Sequence, residues 1–358
     1  MSVGNQRPDQ NKFWEACMKF MTITAAMMVL SSVNVTATKA QTPEAFYKGK
    51  TITVLISHAP GGGFDLYGRL FAKHLSKVLT GSPSTVSQNM PGAAGVVMAN
   101  YMATQAANDG SVIGLGPGAL VTAALFGMTG ARYDARKFNW IGSLNTEVAV
   151  TVSWHSSSVK TTQDLFTREL IVGGGGATDG STIFPIAVSK LLGAKIKVIA
   201  GYNGTAEIAL AMERGETMGI GAWNYSSIVA GKPTWLSEKK INILAQLSLE
   251  PHPDLPNVPT VLDLGRDDAE RSILKLIFAQ SAVGRAIYAP PSVPADRVAA
   301  LRSAFDKMLV DPGFIAETQK ANIEINQPRS GADVTSLIED LHRLSPDLIK
   351  KASAAISP

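Results

Sequence analysis

From position 51 onward, short β-branched or apolar runs alternate with stretches whose apolar residues recur every three or four positions. Thr51-Ile52-Thr53-Val54-Leu55-Ile56 is the first such run, and it stops at Pro60-Gly61-Gly62-Gly63. Leu66, Leu70, Phe71, Leu75, Val78 and Leu79 then share one face of a predicted helix. A second strand is expected around Val86, ending at Asn89-Met90-Pro91-Gly92, before a helix over about 94–107. Asn108-Asp109-Gly110 is a turn signal, and 111–115 reads as a third strand. The pattern recurs with strands over 169–172, 195–200, 218–222 and 241–247 and helices over 181–192 and 205–214. Thr205 is expected to cap the latter, with Glu207 in its first turn. Beyond the irregular, proline-rich 251–259 the chain reads as helical, apart from a strand over 286–289. The alternation predicts an α/β fold with mostly parallel sheets, and 358 residues suffice for two cores.

The first 40 residues follow another pattern. Arg7, Lys12 and Lys19 precede an uncharged stretch from Phe20 to about Val35, and small residues up to Ala40 follow. This is the order of a secretory leader, so residues 1–40 are expected to be a signal peptide cleaved after Ala37 or Ala40. A spanning helix needs roughly 20 apolar residues, and Thr22, Thr24, Ser31, Ser32 and Asn34 interrupt this stretch. The only cysteine, Cys17, lies ahead of the apolar stretch, so the expected mature chain has no cysteine. Disulfides, thiolate catalysis and zinc–cysteine sites are excluded for it together. Basic residues number 33 against 29 acidic, with no basic run longer than a pair, so no nucleic acid partner is expected.

Candidate chemistry concentrates in glycine-rich loops placed just after strands: Gly61 to Gly63, Gly92, Gly116, Gly118, Gly173 to Gly176, Gly201 and Gly204. Such loops let a ligand approach backbone amides, and a helix N-terminus adds unpaired N–H groups and partial positive charge. In open α/β sheets ligands sit at the carboxyl ends of strands. No phosphate-loop lysine follows Gly63, and position 179 is Asp where a dinucleotide fingerprint needs glycine. No Gly-x-Ser-x-Gly elbow and no His-x-x-x-His spacing occurs, so no catalytic residue, metal or cofactor is expected. His58 is the only histidine beside a glycine loop, and it is not expected to pair with Ser57, since strand neighbours point to opposite faces. Asp65 and Asp179 each follow a glycine loop, and Asp65 is expected to cap its helix, while Phe64, Tyr202 and Trp223 offer an apolar wall.

Phe46-Tyr47-Lys48-Gly49-Lys50-Thr51-Ile52, Ala59 through Asp65 and Asn89-Met90-Pro91-Gly92-Ala93-Ala94-Gly95 are followed in order by three further motifs. These are Asn108-Asp109-Gly110, Leu255 through Thr260 and Ala289 through Pro294. Together they resemble the solute receptors of tripartite tricarboxylate transporters, the Bug family, over residues 44–340. The resemblance implies a two-lobe type II periplasmic-binding-protein fold, with lobe 1 in 41–145 and 248–358 and lobe 2 in 146–247. It implies a monomeric periplasmic receptor, not an enzyme, that takes a small mono- or dicarboxylate between the lobes and passes it to membrane subunits. First-lobe contacts implied are Pro60, Gly61, Gly62, Gly63, Phe64, Asp65, Asn89, Pro91, Gly92 and Ala93. Second-lobe contacts are Gly174, Thr178, Ser181, Tyr202, Asn203, Gly204, Thr205, Trp223 and Asn224. Loop amides and hydroxyls are expected to hold the acid, with Arg69 pointing along its helix. The Gly173–Gly176 run and the Gly219-Ile220-Gly221-Ala222-Trp223-Asn224 run depart from the family pattern. Two rival functions stay open on sequence: an exported hydrolase, and an accessory that presents ligand to a membrane sensor kinase.

Overall fold

The computed structural model describes Met1 and residues 41–177 and 179–357; the expected leader, Cys17 and Thr178 lie outside the described residues. Eleven strands occur among them: β1 (Thr51–Ile56), β2 (Ser84–Asn89), β3 (Val112–Pro117), β4 (Asn139–Ser143), β5 (Ala149–Trp154), β6 (Leu170–Gly174), β7 (Ile196–Ala200), β8 (Gly219–Asn224), β9 (Ile241–Leu247), β10 (Arg285–Ala289) and β11 (Arg329–Ser330). They form two sheets, one ordered β11-β4-β10-β3-β1-β2 and the other β7-β6-β8-β5-β9. Residues 144–148 lead from the first sheet into the second, and the chain returns after Leu247 to reach β10. Both sheets are mixed. Parallel ladders join β2-β1-β3 and β7-β6-β8, as the strand–helix alternation predicts. Antiparallel β10, β4 and β11 complete the first sheet, and antiparallel β5 and β9 the second. The expectation of mostly parallel sheets is corrected here, because β10 in the first sheet and β5 in the second each run opposite to both of their neighbours.

Burial explains where each helix sits. Phe71, Leu75, Ile287 and Phe305 share a core with β1 and β3 of the first sheet. Ile208, Ile220, Trp223 and Trp235 share another with β5. Fully burying one such side chain contributes roughly 1.5–3 kcal/mol. Gly68 lets the Gly63–Val78 helix lie directly on β1, since a Cβ there would come within 2.6 Å of Ile56 Cγ1. That close packing fixes the helix N-terminus at the carboxyl end of β1. Late helices Asp268–Phe278 and Pro346–Ile356 pack on each other, and the latter packs on Gly180–Leu192, a helix of the second sheet.

Local readings shift at two points. The helix expected over 94–107 is the shorter Val96–Thr104, behind a 3-10 turn at Ala93–Gly95. Ala93 and Ala94 there take φ of 45° and 51°, which no α-helix accommodates. Thr205 is the first helical residue and not the cap: Gly204, at φ 149°, takes the cap position.

Candidate functional site

β1 ends at Ile56, and the chain bends away from strand geometry before the glycine loop. Ser57 Oγ and His58 Nδ1 therefore meet at 2.8 Å, against the expectation that neighbours would face apart. The His58 ring stacks on Phe64, centroids 4.1 Å apart and planes 9° from parallel. Burial pushes the imidazole down to about 4, with Arg285 acting in the same direction and Asp179 against it. Asp65 folds back over the turn: its carboxylate accepts from Gly61 N at 3.0 Å and Asn89 Nδ2 at 2.9 Å and pairs with Arg69 at 2.9 Å. Burial works to raise the Asp65 carboxyl, but these hydrogen bonds outweigh it and hold it below its ordinary value. Gly61 takes φ 85°, the left-handed region that glycine occupies without strain. The amides of Gly62, Gly63 and Phe64, at the start of a 16-residue helix, find no acceptor among the described residues.

The second sheet supplies matching loops. Asp179 caps the Gly180–Leu192 helix, accepting from Ser181 N at 2.8 Å and Ser181 Oγ at 2.6 Å. Ser181 Oγ in turn accepts from Gly175 N at 2.9 Å. Glu207 Oε2 accepts from Asn203 N at 2.7 Å, closing the loop ahead of the Thr205–Glu213 helix. β8 delivers Trp223 and Asn224 at its end.

These loops enclose a cavity of about 370 Å³, within the roughly 300–1,000 Å³ typical of small-molecule sites. Of the sequence-derived candidates, Pro60, Gly61, Gly62, Gly63, Phe64, Ser181, Asn203, Gly204, Thr205, Trp223 and Asn224 line it. Asp65, Asn89, Pro91, Gly92, Ala93, Gly174 and Tyr202 do not. Asn89 braces the turn through His58 O and Asp65, and Gly174 O accepts from Gly201 N and Tyr202 N. Tyr202 packs against the core of the second sheet. Lining residues that the sequence did not single out for binding include His58, Glu147 and Phe184. Phe184 had a signal, since it follows Gly180 by one helical turn. Glu147 had none, because its place depends on how the crossing segment lies.

Below the cavity sits a buried ion pair, Arg285 Nη1 to Glu147 Oε2 at 2.8 Å. Ser226 Oγ lies 3.0 Å from both Glu147 oxygens, and Asn145 Nδ2 donates to Oε2 at 3.3 Å. The Arg285 guanidinium lies 4.2 Å from the Phe64 ring centre and 4.7 Å from that of Tyr67. Burial raises the Glu147 carboxyl above its ordinary value, and Arg285, Ser226 and Asn145 offset this only in part. Proximity in sequence singles out Arg69, whereas folding brings Arg285 under the glycine loop. Among the described residues no group of three or more His, Cys, Asp or Glu could hold a metal ion.

Two helix-flanked sheets joined by crossing segments, with helix N-termini converging on a cavity, define a two-lobe solute-binding protein. The chain belongs to the tripartite tricarboxylate transporter family receptors, whose model matches residues 68–353. It is thus a solute-binding receptor of a family of periplasmic receptors. Solved structures agree in fold. An R. palustris protein with adipate is 20% identical, covering 86% of this chain and 98% of its own, at TM-score 0.66. MatC from Rhodopseudomonas palustris with bound malate is 20% identical, covering 86% and 99%, at 0.65. The periplasmic binding protein BugD is 18% identical, covering 87% and 99%, at 0.65. No curated protein sequence matches the chain. No helix of the described residues is long and apolar enough to cross a membrane.

Proposed function

We propose that this receptor captures a small carboxylate in the cavity between the sheets and presents it to the membrane subunits of a tripartite transporter. The observation that carries this reading is the pairing of unengaged amides across the cavity, Gly62 and Gly63 on one side and Thr205 and Ala206 on the other. Each helix N-terminus adds roughly half a positive charge, which favours an anion there. The solved relatives with adipate and malate support a carboxylate as the ligand class. In this reading residues 41–145 and most of 248–358 form one lobe and 146–247 the other, with the Pro346–Ile356 helix serving the second. The protein works as an exported monomer without enzymatic activity, its leader removed near residue 40. A thermal-shift screen of the purified protein against carboxylic acids tests the ligand class. A ligand at 100 times its dissociation constant should stabilise the fold by about 2.7 kcal/mol; a panel in which no acid shifts the melting temperature overturns the reading.

A further inference from the structure

The charged side chains lining the cavity are Glu147 and Asp179, and no lysine or arginine of the described residues reaches it. Glu147 is already matched by Arg285 from below at 2.8 Å. Among the described residues Asp179 has no salt-bridge partner, and its carboxylate is held only by the amide and hydroxyl of Ser181. His58 adds no positive charge near neutral pH, since burial keeps its imidazole down. Carboxylates of the chain already sit at each of these loops. Asp65 sits on Gly61 N, Asp179 on Ser181 N and Glu207 on Asn203 N, at 3.0, 2.8 and 2.7 Å. Much of the remaining wall is apolar, with Phe64, Phe184, Trp223, Pro117 and Ala149 facing the space.

From this balance we infer that the solute carries a single carboxylate on an apolar body, and that short dicarboxylates are poor ligands. This rests on the carboxylate-receptor reading above. One carboxylate can bridge the unengaged amides of both loops, Gly62 and Gly63 with Thr205 and Ala206, which act as neutral donors and cost no counter-charge. A second would meet either Asp179 or the aromatic wall, and a desolvated charge without a partner is strongly disfavoured. An apolar body instead gains by leaving water against Phe184 and Trp223.

The test is calorimetry and thermal shift on the purified protein with benzoate, phenylacetate and isovalerate against succinate, malate and adipate. At least one of the monocarboxylates should bind at least about 100-fold more tightly than every dicarboxylate, the factor that a few kcal/mol of unpaired buried charge implies. Malate or adipate binding as tightly as the best monocarboxylate overturns the inference while leaving the receptor reading intact. If no acid of either kind binds, both fall. Asp179→Asn keeps the cap acceptor on Ser181 and removes the charge, so it should narrow the preference about tenfold. An unchanged ratio in that variant also overturns the inference, because Asp179 would then not set the preference.

Discussion

Glu147 and Arg285 form a buried ion pair at 2.8 Å that ties the first crossing segment to the start of β10. Ser226, at the start of the Tyr225–Gly231 helix of the second sheet, hydrogen-bonds to both partners. The pair thus links both crossings and the second sheet beneath the cavity. Arg285→Met should cost about 3–5 kcal/mol at neutral pH, because it strands a buried carboxylate. The sign of its pH dependence follows. Burial already raises the folded carboxyl, and losing Arg285 raises it further. A group with a raised folded pKa contributes stability that is present below its unfolded pKa and lost as pH rises. The penalty should therefore shrink toward pH 4 and grow toward pH 8 in urea melts. Adding Glu147→Gln should recover part of it; no recovery would mean that packing, not charge, sets the cost.

The adjacent glycines Gly62 and Gly63 should separate binding from folding. A Cβ on Gly63 would lie 2.7 Å from Ser227 Oγ and 3.5 Å from Arg285 Nη2. Gly63→Ala should accordingly turn the Ser227 hydroxyl aside and destabilise by up to about 1 kcal/mol. On Gly62 the nearest atom would be Ala59 O at 4.0 Å, and φ is −91°. Gly62→Val should keep its melting temperature and lose ligand affinity by obstructing the amides. Equal melting temperatures for the two variants would contradict the packing described.

Thr205 and Arg69 distinguish neutral from charged recognition. Thr205 lines the cavity, so Thr205→Ala should weaken binding by about 0.5–1.5 kcal/mol. Arg69 is occupied by Asp65 and Asn89, at 2.9 and 3.0 Å. Arg69→Gln should leave affinity nearly unchanged in calorimetry. A large loss in Arg69→Gln beside little in Thr205→Ala would overturn recognition by amides and hydroxyls.

His252 offers a second pH signature away from the cavity. Its Nε2 lies 2.7 Å from Glu324 Oε1. Burial works to lower the imidazole, but the hydrogen bond and charge of Glu324 outweigh it and raise it above 6.5. Stability from the raised imidazole is complete below about pH 6.5 and declines as pH rises through the folded value, while the lowered Glu324 carboxyl confines the pair's contribution to pH above about 4.5. Glu324→Gln should flatten that decline between pH 6 and 9 in thermal melts. A slope equal to that of the parent would assign the titration to another group.

Mass spectrometry of the periplasmic fraction should find a chain beginning near Thr38 or Gln41. An intact chain starting at Met1 in the cytoplasm would refute export.

Local signals carried much of the architecture. β-branched composition and flanking glycines were enough to place β1, β2, β6, β7, β9 and β10 to within a few residues, because both act over a few bonds. Val150-Thr151-Val152 in β5 carries the same signal, while Gly142 in β4 and the two-residue β11 carry little. The glycine loops were legible as cavity walls for a related reason: only a strand end followed by a helix start leaves amides unengaged. What the sequence by itself determined is therefore the alternation, the loops and the family motifs. Tertiary structure alone decided that sheets entered by crossing strands are mixed and that Asp65 turns inward. It alone also set Arg285 beneath Phe64 and facing Glu147, 138 positions away in the chain. Charge pairing in a core depends on which groups folding strips of water together, and no local pattern records that.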